Sequence, residues 1–405
     1  MIEDVKKRKI KNNKLNIVIF FMMFIIIFLF FALTAFKLNI NTSNNKIIQP
    51  KKVENNVKKQ YITKNSLSLI MVGDCLIHGA IYDDAKTSNG SYDFTKMVDL
   101  VKPIIEEYDL AFYNQESILG GTSLGLSSYP TFNSPQEVGD TFIDIGFNLV
   151  SLANNHTLDR GKKGIYSSLE YWHSKKNIMT AGSYSSELER ITPNIMEKNG
   201  IKYALLSYTT TTNGLNVPKD EPYLISVYNK DTVKEDIERL RDKTDLLMVS
   251  MHWGEEYTNT PTESQKEIAS YLANLGVDII IGHHPHVVQP IDFIDNTMVI
   301  YSLGNFLASQ YGVNKLTGLM ASVTVNKTTI GEKSFIKLEF PKAELVYTYS
   351  KITNYRHSYR IYPYRMLNDE LLKGYKEHYD KYMSIVTSMS DKVIPVGFKN
   401  IEKKV

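Results

Sequence analysis

Between Met71 and Phe306, short apolar runs end repeatedly in Asp, Glu, Asn or His. Neighbouring strands of a sheet carry their ends to a common edge. The pattern therefore restricts the chain to an α/β arrangement whose ligand-bearing residues gather beyond the carboxyl ends of the strands. The clearest instance is VDIIIGHHPHVVQP, Val277 to Pro290. A mostly β-branched run suited to a buried strand leads into Gly282. His283, His284 and His286 then fall within four positions, the last two separated only by Pro285. Imidazole is the commonest protein ligand for divalent transition ions. With nine histidines in 405 residues, a surface turn that happens to contain histidine is a poor account of three at one strand end.

The same logic recurs upstream. SLSLIMVGDCLIH, Ser66 to His78, closes in Gly73 and Asp74, with His78 four residues on. DLAFYNQES places Asn114 and Glu116 after another apolar stretch, FNLVSLANNHTLDRG ends its run in Asn154, Asn155 and His156, and LLMVSMHWGEEY ends in His252. Intervening segments read as helices. Ser134 and Glu137 have the spacing of a capping box, with Pro135 at the first helical position. Ile268, Leu272 and Leu275 recur at helical spacing ahead of Gly276. Asn199-Gly200 predicts a type I′ hairpin.

In the order GD, NQE, NNH, HWG, GHHPHVVQ and SLGNF, the stretch from Leu67 to Phe306 resembles the CapA family of poly-γ-glutamate capsule synthesis proteins, a branch of the calcineurin-like metallophosphoesterase superfamily. The resemblance implies a β-sandwich flanked by helices, with a two-metal site at one sheet edge. It maps Asp74 onto the first metal-binding aspartate, Glu116 onto the bridging acid, and Asn155 with His156 onto the Asn-His pair. His252 takes the place of the lone middle histidine, and His284 with His286 that of the final His-x-His. His78 is a further candidate ligand and His156 the candidate proton donor. Two departures stand out: the superfamily's Asp-x-His is here Asp74-x-x-x-His78, and the bridge is a glutamate in place of the GDxxD aspartate. The mixed imidazole and carboxylate donors suit Mn, Fe or Zn, as two divalent ions, better than Mg or Ca.

The formal charge of +3 conceals an asymmetry: residues 1–64 carry +10, leaving −7 on the remainder. An acidic folded part argues against a nucleic-acid partner. The basic start precedes Ile17 to Phe36, twenty residues interrupted only by Thr34. At about 1.5 Å per residue such a helix spans the ~30 Å hydrocarbon core. Six basic residues between Lys6 and Lys14 lie before it and only Lys37 follows closely, which puts the amino terminus in the cytoplasm. A cleaved signal is the competitor, although Leu33 and Ala35 make a poor cleavage pair. The expected organisation is a cytoplasmic tail over 1–16, a single membrane span over 17–36, a solvated linker over 37–65, an extracellular domain over 66–350 and a C-terminal extension over 351–405.

Cys75 is the only cysteine, which excludes an intramolecular disulfide. It reads as a small apolar side chain beneath the site. Beyond Phe306, alternating segments at 316–326, 333–340 and 343–349 are expected to complete the second sheet, and Leu371, Leu372, Tyr375 and Tyr379 share one face of a late helix. The stretch from Arg356 to Arg365, with Tyr359, Tyr362 and Tyr364, reads as a packed edge with snorkelling arginines in preference to a polymer-binding platform.

Three functions fit this reading. The first is a membrane-anchored, metal-dependent hydrolase-like component of poly-γ-glutamate or related capsule synthesis and export, partnered by the anionic polymer and the membrane-bound synthetase. The second is a non-catalytic subunit that binds the polymer or the synthetase. The third is a cell-surface phosphoesterase.

Overall fold

The computed structural model describes residues 62–353 and 356–398, together with Met22, Met23, Ile25, Ile26, Ile27 and Leu29. The chain divides into two compact units, Met1–Lys59 and Gln60–Val405. In the first, the six described residues are helical and exposed. Among the described residues no helix is long and apolar enough to cross a membrane. The basic tail, most of the segment 17–36 and the linker as far as residue 61 lie outside the described residues.

The second unit is built in chain order. β1 (Ile62–Leu76), β2 (Leu110–Gln115), β3 (Leu149–Ser151) and β4 (Met179–Ala181) form the parallel half of one sheet. A second sheet follows from β5 (Met196–Lys198), β6 (Ile201–Thr209), β7 (Leu246–His252), β8 (Ile279–His283), β9 (Ile291–Ile294) and β10 (Thr297–Ile300), in the order β5-β6-β7-β8-β10-β9. The chain then returns to the first sheet. β11 (Asn305–Ala308) pairs parallel with β1, and β12 (Thr317–Ile330), β13 (Lys333–Thr353) and β14 (Arg356–Pro363) extend it on the other side of β1, with β15 (Ile394–Val396) against β13.

Alternation along the strands decides which side chains face which layer. Leu67, Leu69 and Met71 of β1, Leu110 and Phe112 of β2, Met248 of β7 and Ile279 and Ile281 of β8 bury one another between the sheets. Their neighbours Ile70, Val72, Ala111 and Tyr113 face the helices Glu137–Asp144 and Gly161–His173. On the far side, Val249 and Ile280 meet the helices Lys230–Arg241 and Glu263–Asn274. The result is a β-sandwich with helices on both outer faces.

Several expectations shift. The chain crosses back after β10, so the alternating segments beyond Phe306 join β1 in the larger sheet and do not complete the second. Segments 333–340 and 343–349 are one strand, β13; Phe340 adopts φ 53° where the pairing with β12 slips, which absorbs the break in alternation. Residues 62–65 pair with β12 and so belong to β1, not to the linker. No capping box forms at Ser134 and Glu137. The helix begins at Glu137 behind Gln136, and the buried Ser134 hydroxyl donates to Ser117 Oγ instead, 2.9 Å. A capping box does form at Thr262 and Gln265. The Asn199-Gly200 turn has both residues at positive φ, 53° and 76°, as a type I′ hairpin requires.

The last described residues are not peripheral. Gly374, at φ 69°, starts the helix Tyr375–Val386, so Leu371 and Leu372 precede it. Leu372, Tyr382, Met383 and Val386 complete the layer between the sheets. In the arginine-tyrosine stretch, Tyr359 and Tyr364 are buried, Arg360 forks onto Asp99 with two contacts of 2.7 Å, and Arg365 Nε lies 3.0 Å from Glu344. This is a packed edge.

Burial pushes the Glu344 carboxyl up to about 7, against the opposing pull of Arg365. The folded protein thus holds this proton more tightly than the unfolded chain. Its contribution to stability is full below the unfolded value of 4.5 and is lost as pH rises through about 7. Chemical denaturation at pH 4.5 and pH 8 is expected to show that Glu344→Gln reduces the wild-type loss of stability over that window by on the order of 2 kcal/mol. An unchanged pH slope in the variant would refute this.

Candidate metal centre

The site lies at the polar end of the layer between the sheets. His252 shares the inward parity of Leu246 and Met248 on β7, His283 that of Ile279 and Ile281 on β8, and Asn114 and Glu116 that of Leu110 and Phe112 on β2. Asp74 has the wrong parity to join them. Met71 pairs with Phe112 and Asp74 with Asn114, three steps against two, and this extra residue turns Asp74 inward. The bulge is at Gly73, where an added Cβ would stand 1.8 Å from Gly304 O. Gly282, ahead of His283, is packed as tightly: its Cβ would meet Tyr301 O at 2.0 Å.

Asp74 is fully buried and densely held. Asn114 Nδ2 donates to Oδ1 at 2.9 Å, His283 Nδ1 lies 3.1 Å from Oδ1, and His286 Nδ1 lies 3.2 Å from Oδ2. Burial alone would raise this carboxyl, but the hydrogen bonds from His283 and His286 outweigh it and hold the group well below its usual range. Glu116 is the opposite case. It is equally buried, neither oxygen has a hydrogen-bond partner among the described residues, and the imidazole nitrogens His252 Nε2 and His286 Nε2 stand 3.6 Å away. Burial pushes Glu116 well above the usual carboxylate range.

The imidazoles divide in the same way. Burial, aided by the neighbouring His284, pushes His252 well below its ordinary value, and burial with His286 takes His284 down to about 4. For His286 burial is outweighed by Glu116 and Asp74, which raise it to about 9. His284 Nδ1 is buried without a partner. His252 Nε2 lies 2.9 Å from Asn155 Oδ1, so Asn155 joins this group.

Two buried donor sets result, each with its atoms within 4.8 Å of one another: Glu116, His252 and His284, and Asp74, Glu116 and His286. Glu116 belongs to both. An unpaired carboxylate out of water costs several kcal/mol, so a residue shared by both donor sets with both oxygens idle fits divalent-cation binding at this site. Among the described residues a third set contains the exposed Glu256 with His284 and His286.

His78 and His156 sit apart from these sets. His78 caps the helix Gly79–Ala85; its Nδ1 is 2.9 Å from Leu76 O and 3.2 Å from the Ser309 amide, and burial takes it down to about 4. His156 Nδ1 lies 2.7 Å from Asp159 Oδ2. Both rings pack edge-on against Phe132, at 5.2 and 4.7 Å, and both line a 400 Å³ cleft with Asn155, Glu256, Tyr257 and His286. Asn154 organises the turn beneath them: its Oδ1 accepts from the His156 amide at 3.0 Å and its Nδ2 donates to Gln115 O at 2.9 Å. Cys75 is buried beside the site, and burial raises its thiol well above the ordinary value.

Asp159, His283, Asn305 and Glu256 escaped the sequence reading as site residues. Asp159 follows His156 by three positions, and His283 shares the parity of the β8 core residues, so both carried a signal. Asn305, 2.9 Å from His286 Nδ1 through its Oδ1, lies in the SLGNF stretch, and only the crossing between sheets brings it here.

Comparison with known proteins bears on this arrangement. The family described as bacterial capsule synthesis protein PGA_cap matches residues 68–310. The chain belongs to this family. It is 34% identical over 173 residues to the capsule biosynthesis protein CapA of Bacillus anthracis, covering 41% of each chain. Against the PGA biosynthesis protein CapA of Bacillus subtilis (strain 168) it is 34% identical over 170 residues, 41% of this chain and 44% of that one. The match thus spans about two fifths of the length of these relatives. A solved 5'-nucleotidase from Candida albicans SC5314 aligns with a TM-score of 0.38 at 14% identity, over 67% of this chain and 53% of that one, a likeness too loose to bear on the chemistry. All the candidate donors from Asp74 to His286 fall inside the PGA_cap match.

The two glycines make the geometry testable. Gly282→Ala places a methyl group against backbone that has no room to move. The variant is expected to lose at least about 3 kcal/mol of stability by chemical denaturation, the upper end of the usual cost of overpacking. A variant as stable as the wild type would show that the crossing is not rigid.

Proposed function

We propose that this protein is a metal-dependent, hydrolase-type component of poly-γ-glutamate or related anionic capsule-polymer synthesis, anchored in the cell membrane through residues 17–36 with its main domain outside. Membership of the PGA_cap family supports the setting. The observation that carries the chemistry is Glu116, buried with both oxygens idle between two imidazole-bearing donor sets.

In this reading Asp74, Glu116 and His286 hold one ion, and Glu116, Asn155, His252 and His284 the other, with Mn, Fe or Zn as the suitable metals. A bound pair of divalent ions supplies Lewis acidity toward a phosphoryl or acyl oxygen and an activated water. The rest of the work falls to the chain. Asn114 and His283 fix the Asp74 carboxylate, and Asn305 orients His286. Asp159 engages His156 Nδ1 and leaves Nε2 as the nitrogen for proton delivery to a leaving group at the wall of the cleft. His78 lines the same cleft, where its neutral ring is suited to contacting substrate. The acidic domain repels a polyanion in general, so attraction is local to the bound cations.

Elemental analysis of the purified full-length protein is expected to find divalent metal that His252→Ala and His284→Ala lose together with capsule function. His156→Ala retains the metal and slows hydrolysis of the substrate found by an unbiased screen by about 10² to 10⁴. A His156→Ala protein with normal turnover removes the proton-donor role. A metal-free wild type that still supports the capsule identifies a binding subunit instead, and phosphodiester turnover with no effect on the polymer identifies a cell-surface phosphoesterase. Protease added to intact protoplasts is expected to digest the domain; protection would place it inside.

A further inference from the structure

We propose that Glu256 is the loading ligand of this centre: an incoming divalent ion is captured at the mouth by Glu256, His284 and His286, and passes inward by exchanging the Glu256 carboxylate for that of Glu116. The inference rests on the metal-site reading above. The three outer donors lie within 4.8 Å of one another, and Glu256 is exposed whereas both histidines are buried. Each histidine also serves an inner set, His284 with Glu116 and His252, and His286 with Asp74 and Glu116. An ion leaving the mouth therefore keeps one imidazole whichever inner position it takes, and a single outer position feeds both. His284 Nδ1 is buried and, among the described residues, has no hydrogen-bond partner to compete for it.

The backbone is bent to make this juxtaposition. Glu256 is brought over the histidines by Tyr257, whose amide donates to Pro285 O at 2.7 Å, and Pro285 is the residue between His284 and His286. Three non-glycine residues in this small region adopt positive φ: Tyr257 at 65°, His284 at 94° and His286 at 55°. Such conformations persist only where surrounding contacts impose them, and they cluster at functional sites. Lys315 Nζ lies over the Tyr257 ring, 4.5 Å from its centroid. The neighbouring Glu255 is also exposed but belongs to none of the donor sets among the described residues.

The test is time-resolved uptake of manganese(II) by the full-length, chelator-stripped protein, with final content measured by elemental analysis. Glu256→Gln is expected to take up metal at least about tenfold more slowly, the scale on which a local charge governs ion capture, and to reach the wild-type content. Glu255→Gln is expected to match the wild type in rate and content. Wild-type uptake by Glu256→Gln overturns the proposal, as does equal slowing in Glu255→Gln, which would indicate general attraction only. A lowered final content in Glu256→Gln also overturns it, because Glu256 would then be a resident ligand. A wild-type protein that binds neither manganese(II) nor, in the same assay, zinc(II) or iron(II) removes the metal reading itself, whereas normal uptake by Glu256→Gln removes only the loading role.

Discussion

The passage of the chain from one sheet to the other through Tyr301 to Asn305 is the constraint on which the remaining geometry hangs. This short segment is pressed against both sheets: Asp74 N donates to Gly304 O at 2.9 Å, Leu303 N donates to Gly282 O at 3.2 Å, and Leu319 N donates to Leu303 O at 2.8 Å. It fits because Gly73, Gly282 and Gly318 present no side chain; at each of them a Cβ would fall within about 2 Å of a carbonyl oxygen on this segment. The same contacts place the ends of β1 and β8 opposite each other, so the crossing holds Asp74 against His283 and His286. Backbone packing and ligand placement are one feature here.

Charge explains why so irregular a place is kept. The layer between the sheets is apolar through its middle and turns polar at this end, where carboxylates and imidazoles are shut away from water together. Asp74 is satisfied by neighbours; Glu116 is not. A protein interior tolerates such an imbalance where a cation restores it. The positive-φ histidines fit the same account, since loop strain that no packing need explains is retained where it aims a donor.

Much of this was legible in the sequence, for a definite reason. Alternation along a strand and the delivery of functional residues to strand ends are local rules, so Asp74, Glu116, Asn155, His252, His284 and His286 could be read as one group from separate segments. Non-local facts were not. The bulge that turns Asp74 inward depends on contact with Gly304, more than two hundred residues away. Ser134 and Glu137 carry the capping pattern, yet Ser117 takes the serine hydroxyl. His78 follows a strand end as the others do, but the chain turns into a helix there and its ring lines the cleft instead. The C-terminal residues looked like an appendage because helical spacing says nothing of which surface a helix covers; this one closes the layer between the sheets.

β1 also sets a direction. Its first residue, Ile62, and Asp74 lie at opposite ends of one strand, on the order of 40 Å apart at the usual rise per residue. The chain therefore enters the described domain at the end remote from the donors. Changes where the chain enters the domain are thus separated from the cleft by the full length of the strand.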